Sequence, residues 1–360
     1  MTGRGVDQIL PRPCAPLIHE PVVRSAKEYV RLAEKANGPV PRAENSSCIW
    51  GAALDELRLA GPHLYIVNLE TAITRSEHFL AKGINYRMSP ENAECLAAAG
   101  IDCCALANNH VLDWGQPGLI ETLATLEKLE IKTVGAGTNI VEARTPSVID
   151  FDRNRRVVVY AAALLDSGVF ESWVAGKNSP GINVVRELSD ASVLGIAGQI
   201  AKIRRPGDTV IVSIHWGPNW GFFIPPEQIR FAHRLIDEAN VSVVFGHSSH
   251  HAKAIEFYRN RLILYGCGDF LNDYEGIDGH EEYRGDLVLL YALNFDTSSN
   301  DLSEIELVPF QIRRLQLIRP SRDDVSWLER TLDRECRPFG TSVRLQSSGR
   351  FLANPATKRR

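Results

Sequence analysis

The sequence predicts an α/β protein, and two patterns in its 360 residues carry that prediction. In the middle of the chain, apolar strand-like runs alternate with helical stretches, which is typical of parallel β-α-β units. From about residue 252 onward, short strands separated by turns predict a second, antiparallel sheet. Because 44% of the residues are hydrophobic, the chain has enough apolar surface for a sizeable core.

The individual elements follow from apolar runs, proline starts and glycine ends. Pro90 opens a helix that Gly100 closes, and Pro225 opens another that runs to about residue 239. Other predicted helices span residues 22–36, 118–129, 140–143, 192–203 and 323–334. Predicted strands span residues 64–68, 102–106, 132–134, 147–150, 155–163, 208–215, 241–245, 252–257, 261–265, 286–293 and 303–308. We place one domain over residues 1–320, followed by a C-terminal helix and tail over residues 321–360.

Composition excludes several classes of protein. The formal net charge of −4 and the lack of a basic face argue against a nucleic-acid partner. No apolar run reaches the ~18 residues of a membrane span, and residues 1–7 lack the apolar core of a signal peptide, so we expect a cytoplasmic protein. The seven cysteines are odd in number and form no C-x-x-C pair, which predicts reduced thiols. The adjacent pair Cys103-Cys104 lies in an apolar run, where we expect it to fill the core.

Four predicted strands end in residues that bind metal ions or transfer protons. Three imidazoles within residues 247–251 are hard to explain by packing, because crowded imidazoles repel when protonated and a cation holds them neutral. Asn109 and His110 end another strand, although a capped turn would also explain them. His215 ends a third, where a hydrogen-bonded core histidine is the alternative. Glu70 follows a fourth, as a metal bridge or as a solvated turn residue.

These stretches resemble the calcineurin-like metallophosphatases, whose signatures include G-N-H and a late G-H-x-H. More closely, the chain resembles the CapA family of poly-γ-glutamate capsule biosynthesis proteins. The matching stretches run in family order at residues 67–73, 105–115, 214–217, 246–250 and 264–270.

The resemblance implies a four-layer α/β/β/α sandwich around two divalent metal ions, with Mn, Zn and Fe equally suited to the donors. It implies metal ligation by Glu70, Asn109, His215, His247 and His250. His110 is expected to protonate the leaving group. Asp269 is expected to pack beside the site, where the family usually has Asn.

The start of the chain departs from the family pattern. Relatives open with a strand that ends in Gly-Asp-x-Met-x-Gly-Arg, whose Asp ligates the first metal. Here the sequence begins at Met1 and reaches Gly3-Arg4 at once, so we expect the first strand to be missing. A start codon assigned too late explains this better than a truncated gene, because the remaining motifs are intact.

Two functional hypotheses follow. The first is a metal-dependent hydrolase acting on an anionic small molecule or polymer, either a phosphoester or an amide-linked acidic chain. The second is a non-catalytic component of poly-γ-glutamate synthesis or export that binds the polymer or an assembly partner. The sequence favours an enzyme. Lys82 is expected to meet an anionic substrate or, more simply, to lie in a solvated loop. Further predicted substrate contacts come from Arg4, Asn68, Arg87 and Trp216.

Overall fold

A computed structural model describes residues 1–58, 64–151, 155–296 and 301–356. It is a mixed α/β structure with several sheets, as the sequence predicts. We call the three larger sheets the small, central and C-terminal sheets, and the first two position the candidate site. In the part of the chain that the structure describes, no helix is long and apolar enough to cross a membrane.

The N-terminal segment packs helices against the small sheet. The helix predicted over residues 22–36 begins five residues later, because a bridge between Leu17 and Ser25 closes a loop before it. The helices of this segment are Gly5–Ile9, Lys27–Asn37 and Ala53–Leu57, with a 3-10 turn at Cys48–Trp50.

The small sheet consists of three parallel strands in the order Tyr65–Asn68, Ile101–Ala105 and Lys132–Val134. The prediction for Cys103 and Cys104 is confirmed, since both are fully buried free thiols. The connecting elements are the 3-10 turn Pro90–Ala93 and the helices Glu94–Ala98 and Gly115–Lys128. Two short strands, Ala72–Ile73 and Arg87–Met88, pair beside this sheet.

The central sheet has a parallel core with helices Asp190–Ala201 and Pro226–Ala239 on one face. The predicted hairpin at residues 252–265 belongs to this sheet and not to the second, antiparallel one, because Arg261–Leu264 pairs in parallel with Val243–His247. The strand order is Val184–Val185, Arg156–Leu164, Thr209–His215, Val243–His247, Arg261–Leu264 and Ile255–Tyr258. Ser147–Asp150 pairs antiparallel with Arg156–Leu164, and the helix Ile140–Arg144 precedes it.

The C-terminal sheet is antiparallel and larger than predicted. The segment expected to be a helix and tail contains the helix Arg322–Cys336, but it then adds two strands to this sheet. Each of these two strands is only five residues long, so the sequence pattern that marks them is short. Residues 357–360 of the predicted tail lie outside the described residues. The strands are Leu287–Phe295, Leu302–Arg313, Gln316–Ile318, Thr341–Leu345 and Phe351–Pro355.

The strand Arg156–Leu164 is buried on both faces, which explains its continuous apolar run. Its alternate residues enter two different cores, as the two-residue period of a strand requires. Val158, Tyr160 and Ala162 pack with the helices of the central sheet. Val159, Ala161 and Ala163 join a core cluster shared with the small sheet and the N-terminal helices. The residues of the candidate site lie at the carboxyl ends of strands in the small sheet and in the central sheet.

Candidate metal centre

The central sheet brings two of the predicted ligands side by side. His215 and His247 are the last residues of neighbouring parallel strands and lie directly opposite each other in register. Their Nδ1 atoms are 2.9 Å apart, and Nε2 of His247 lies 2.7 Å from Oγ of Ser213. Parallel strands place their carboxyl ends at one edge, so this pairing is a direct consequence of topology.

Both imidazoles are neutral at neutral pH. Burial lowers the pKa of His215 far below its ordinary range, and the neighbouring His247 lowers it further. Burial alone lowers the pKa of His247 to about 3. A neutral imidazole keeps a nitrogen lone pair, which is the form that binds a metal ion.

His250 lies in a more acidic environment than His215 and His247. Burial lowers its pKa, but Asp269 outweighs this effect and raises the pKa above its ordinary value. Nδ1 of His250 lies 3.1 Å from Oδ2 of Asp269, so the expectation that Asp269 packs beside the site is met. The hydroxyl of Tyr274 lies 3.3 Å from Nε2 on the other side of the ring.

Glu70 enters from the small sheet and is almost completely buried. Asn68 donates a hydrogen bond of 2.8 Å to its carboxylate, and Asn108 in turn donates one of 3.0 Å to Asn68. Burial raises the pKa of Glu70 to about 7, and the charge of His250 partly offsets this rise. The electrostatic coupling between Glu70 and His250 shows that the structure brings the two sheets' residues together.

His110 is held by a buried network that the sequence revealed only in part. Its Nδ1 lies 2.7 Å from Oδ2 of Asp113, and the ring packs edge-on against Tyr86. Lys82 donates a hydrogen bond of 2.7 Å to the other oxygen of Asp113 and also contacts the carbonyl of Asn109. Burial lowers the pKa of His110 to about 4, with Asp113 opposing the shift and Lys82 adding to it.

Lys82 is therefore a site residue that sequence reasoning ranked too low. Its side chain is only 8% exposed and lies over the ring of Trp173, 4.9 Å from the centroid. Nothing in the pattern around residue 82 distinguishes it from a solvated loop lysine, because its partners are 27 to 91 positions away in the chain.

Two buried atoms at the site have no hydrogen-bond partner among the described residues, Oδ1 of Asn109 and Nε2 of His215. Leaving such an atom unpaired costs about 1–3 kcal/mol. Each of these two atoms can offer a lone pair to a cation. The donor types therefore fit a divalent metal ion. Within residues 1–58, 64–151, 155–296 and 301–356, however, no three His, Cys, Asp or Glu side chains already converge as a closed metal site.

The residues predicted to contact substrate lie around the site, mostly buried. Arg4 forms an ion pair with Asp273, with its Nη2 2.6 Å from Oδ1, and a second one with Glu20. Trp216 is 3% exposed, and its Nε1 donates to the carbonyl of Tyr265 at 3.0 Å. Asn68 supports Glu70 as described. Substrate contact by these residues stays a prediction.

The fold and the site together define a mixed α/β protein with buried imidazole, amide and carboxylate groups at the strand ends of two sheets. The family model of the bacterial capsule synthesis protein PGA_cap matches residues 1–274, which include every predicted site residue. The chain belongs to this family, and the resemblance to CapA is confirmed.

Individual relatives agree with this assignment. The chain is 45% identical over 345 residues to the probable polyglutamine synthesis accessory protein of Mycobacterium tuberculosis, covering 95% of this chain and 90% of the relative. It is 25% identical over 271 residues to the PGA biosynthesis protein CapA of Bacillus subtilis, covering 74% of this chain and 66% of the relative. It is 27% identical over 237 residues to the capsule biosynthesis protein CapA of Bacillus anthracis, covering 64% and 53%.

Proposed function

We propose that this protein is a metal-dependent hydrolase that acts in poly-γ-glutamate capsule biosynthesis. The observation that carries the proposal is the pair of buried lone pairs without partners, Oδ1 of Asn109 and Nε2 of His215, beside the neutral imidazole of His247. The printed names of the relatives, which refer to polyglutamine synthesis and PGA biosynthesis, support the polymer as the biological context.

The proposed ligands are Glu70, Asn109, His215, His247 and His250. When bound, two divalent ions of Mn, Zn or Fe would activate a water molecule and stabilise negative charge on the attacked group. The neutral state of His215 and His247 supports ligation, because neither has to lose a proton to bind. Asn68 supports the site by holding one oxygen of Glu70.

His110 is proposed to handle the proton of the leaving group. Its Nδ1 is oriented by Asp113, and Lys82 holds Asp113 in turn, so Nε2 is left for the substrate. In the ligand-free protein the ring is neutral at pH 7, since its pKa is about 4. An anionic substrate beside the ring would raise this pKa, because a nearby negative charge favours the imidazolium form. Substrate binding would therefore shift the ring toward its protonated form.

The four-layer α/β/β/α arrangement is part of the same proposal. Its support is the packing of two helices on one face of the central sheet, while the opposite face shares a core cluster with the small sheet. Such an arrangement places the strand ends of both sheets along a common edge, where Glu70 and His250 meet.

A non-catalytic role in binding the polymer is the second candidate. It is favoured by the absence, within the described ranges, of three converging acidic, histidine or cysteine side chains. Replacing His110 and His247 in cells separates the two candidates. Unchanged polymer output would support the binding role, whereas loss or altered length of the polymer would support the hydrolase.

The direct test uses purified protein titrated with Mn²⁺, Zn²⁺ and Fe²⁺ in a calorimeter. The loaded protein is then assayed on p-nitrophenyl phosphate and on short γ-linked glutamate oligomers. We expect binding of divalent ions and hydrolysis of one of these substrates. His78→Ala is the matched control, because His78 is exposed and outside the site. A protein that binds none of these ions would overturn the proposal.

A further inference from the structure

One cavity of the described structure has none of the proposed metal ligands in its lining. Its volume is about 420 Å³, within the roughly 300–1,000 Å³ typical of small-molecule sites. Its charged and nucleophilic lining residues are Arg12, Cys14, Arg75, Glu77, Arg87 and Glu91. Arginine forks match carboxylates and phosphates, so this lining suggests an anionic ligand.

Arg87 is the key residue because it is only 8% exposed and has no carboxylate within ion-pair distance in the described part of the chain. Its guanidinium lies 3.8 Å from the ring centroid of Trp114. It donates two hydrogen bonds of 3.0 Å, to the carbonyls of Ser76 and Ala15. A guanidinium has five N–H donors, so three remain for a ligand. A buried cation with only neutral partners is costly unless an anion completes the site.

The other charges of the cavity leave one more arginine available. Arg75 is paired with Glu91. Arg12 is exposed, and its guanidinium has no partner among the residues that the structure describes. Glu77 contributes one negative charge at the rim. Within the described chain, the cavity lining therefore has two arginines without an ion-pair partner, the buried Arg87 and the exposed Arg12, and one unpaired carboxylate, that of Glu77.

Asp7, beneath the cavity, does not neutralise Arg87 by direct contact. Its oxygens accept hydrogen bonds from the backbone N–H groups of Cys14 and Ser89 and from the side chain of Asn92. Burial raises the pKa of this carboxyl group, while Arg87 lowers it only as the weakest of several influences.

We propose that this cavity binds a carboxylate group of a γ-linked glutamate chain, with Arg87 and Arg12 as its cationic contacts. The assignment of the polymer rests on the proposed function. The cavity is linked to the candidate metal centre through the backbone, because its lining residue Arg87 follows Tyr86, whose ring contacts that of His110. Trp114, under the guanidinium, follows Asp113 in the same way. Because its contacts are cationic, the site binds polyglutamate more tightly than the neutral polyglutamine that appears in the name of one relative.

The experiment measures binding of a γ-linked glutamate oligomer to the full-length protein in EDTA, by calorimetry at low and high salt. Chelation keeps the metal centre out of the measurement. We expect Arg12→Gln to weaken binding roughly 3–5-fold, as for an exposed ion pair. We expect Arg87→Gln to weaken it about 10-fold or more, as for a buried charged hydrogen bond. The affinity should fall with added salt.

The matched control is Arg42→Gln, because Arg42 is an exposed arginine outside the cavity and should bind the oligomer as the wild type does. If Arg87→Gln does not fold, Arg12→Gln alone carries the test, since its side chain supports no other contact. Equal binding of a neutral γ-linked glutamine oligomer, or unchanged affinity in Arg12→Gln, would overturn the proposal. Tight binding of inorganic phosphate without binding of the oligomer would also overturn it. None of these results depends on whether the metal-loaded protein hydrolyses a substrate, so the two proposals fail separately.

Discussion

The two sheets supply two halves of the candidate metal centre, and the halves are built differently. In the half from the small sheet, each polar group is held by a residue close to it in the chain. Asn68 holds Glu70, and Asp113 holds His110. In the half from the central sheet, His215 and His247 contact each other across 32 positions, and His250 contacts Asp269.

This difference has an electrostatic consequence. The half from the small sheet buries a carboxylate, whose pKa is raised to about 7. The half from the central sheet buries the imidazole of His247, whose pKa is lowered to about 3. Burial disfavours charge in both cases, but it shifts an acid and a base in opposite directions. Without a metal ion, Glu70 and His247 are therefore each most stable in the neutral form, and a bound cation would stabilise Glu70 as a carboxylate.

The largest expected effect separates chemistry from metal binding. In His110→Asn, we expect hydrolysis to fall by roughly 10²–10⁴, as for loss of a general acid or base. Metal affinity should stay unchanged, because His110 is not among the proposed ligands. Steady-state rates and calorimetric metal titration measure the two quantities on the same preparation. Equal loss of hydrolysis and of metal affinity would show that His110 takes part in metal binding.

Metal affinity itself should respond unequally in the two halves. Asn68→Ala removes the hydrogen bond to Glu70, and we expect metal affinity to fall roughly 10–100-fold, as for loss of an outer-shell partner. His215→Ala removes a proposed ligand, so its affinity should fall further than that of Asn68→Ala. Competition with a fluorescent chelator measures both, with His78→Ala as the control. The reverse order would contradict the assignment of His215 as a ligand.

The pH dependence of stability should have opposite signs in the two halves. For metal-free protein, the folded-state pKa of Glu70 is about 7 against an ordinary 4.5, so its contribution is full below pH 4.5 and is lost as the pH rises to 7. The loss is about 3 kcal/mol. For His247 the folded pKa is about 3 against 6.5, so its contribution is lost as the pH falls from 6.5 to 3.

Denaturant unfolding in EDTA between pH 4 and 8 tests this opposition. Relative to wild type, Glu70→Gln should lose less free energy of unfolding as the pH rises. His247→Phe should lose less as the pH falls. Parallel pH profiles for the wild type and both variants would contradict the burial of these two groups.

The smallest expected effect concerns Trp216, which lies in the central half. Trp216→Phe removes the hydrogen bond from Nε1 to the carbonyl of Tyr265, and we expect a loss of about 1 kcal/mol in the free energy of unfolding. Metal affinity and the Michaelis constant should not change, because the side chain is buried away from solvent. A large rise in the Michaelis constant would instead support its predicted contact with substrate.

Much of the fold was predictable because strong local patterns mark it. The strand Thr209–His215 and the helix Pro226–Ala239 lie within one or two residues of their predicted bounds. The strands Thr341–Leu345 and Phe351–Pro355 were not predicted, because each is only five residues long. Phe351–Pro355 pairs with Leu302–Arg313, and Thr341–Leu345 pairs with Phe351–Pro355 in turn. The hairpin at residues 252–265 was predicted, but its sheet was not, because the choice depends on which edge is free to pair.

The sequence by itself determined the donor types of the site and the family, because residues at strand ends keep their chemistry wherever the strands lie. It also predicts that Glu70, Asn109, His110, His215, His247 and His250 lie together, since parallel strands end at one edge. Only the tertiary structure decided the partners of those residues, because Lys82 contacts Asp113 and His215 contacts His247. It also decided where the arginine-lined cavity lies. The reason is physical. Burial and charge coupling arise between residues that are distant in the chain, and no local pattern encodes them.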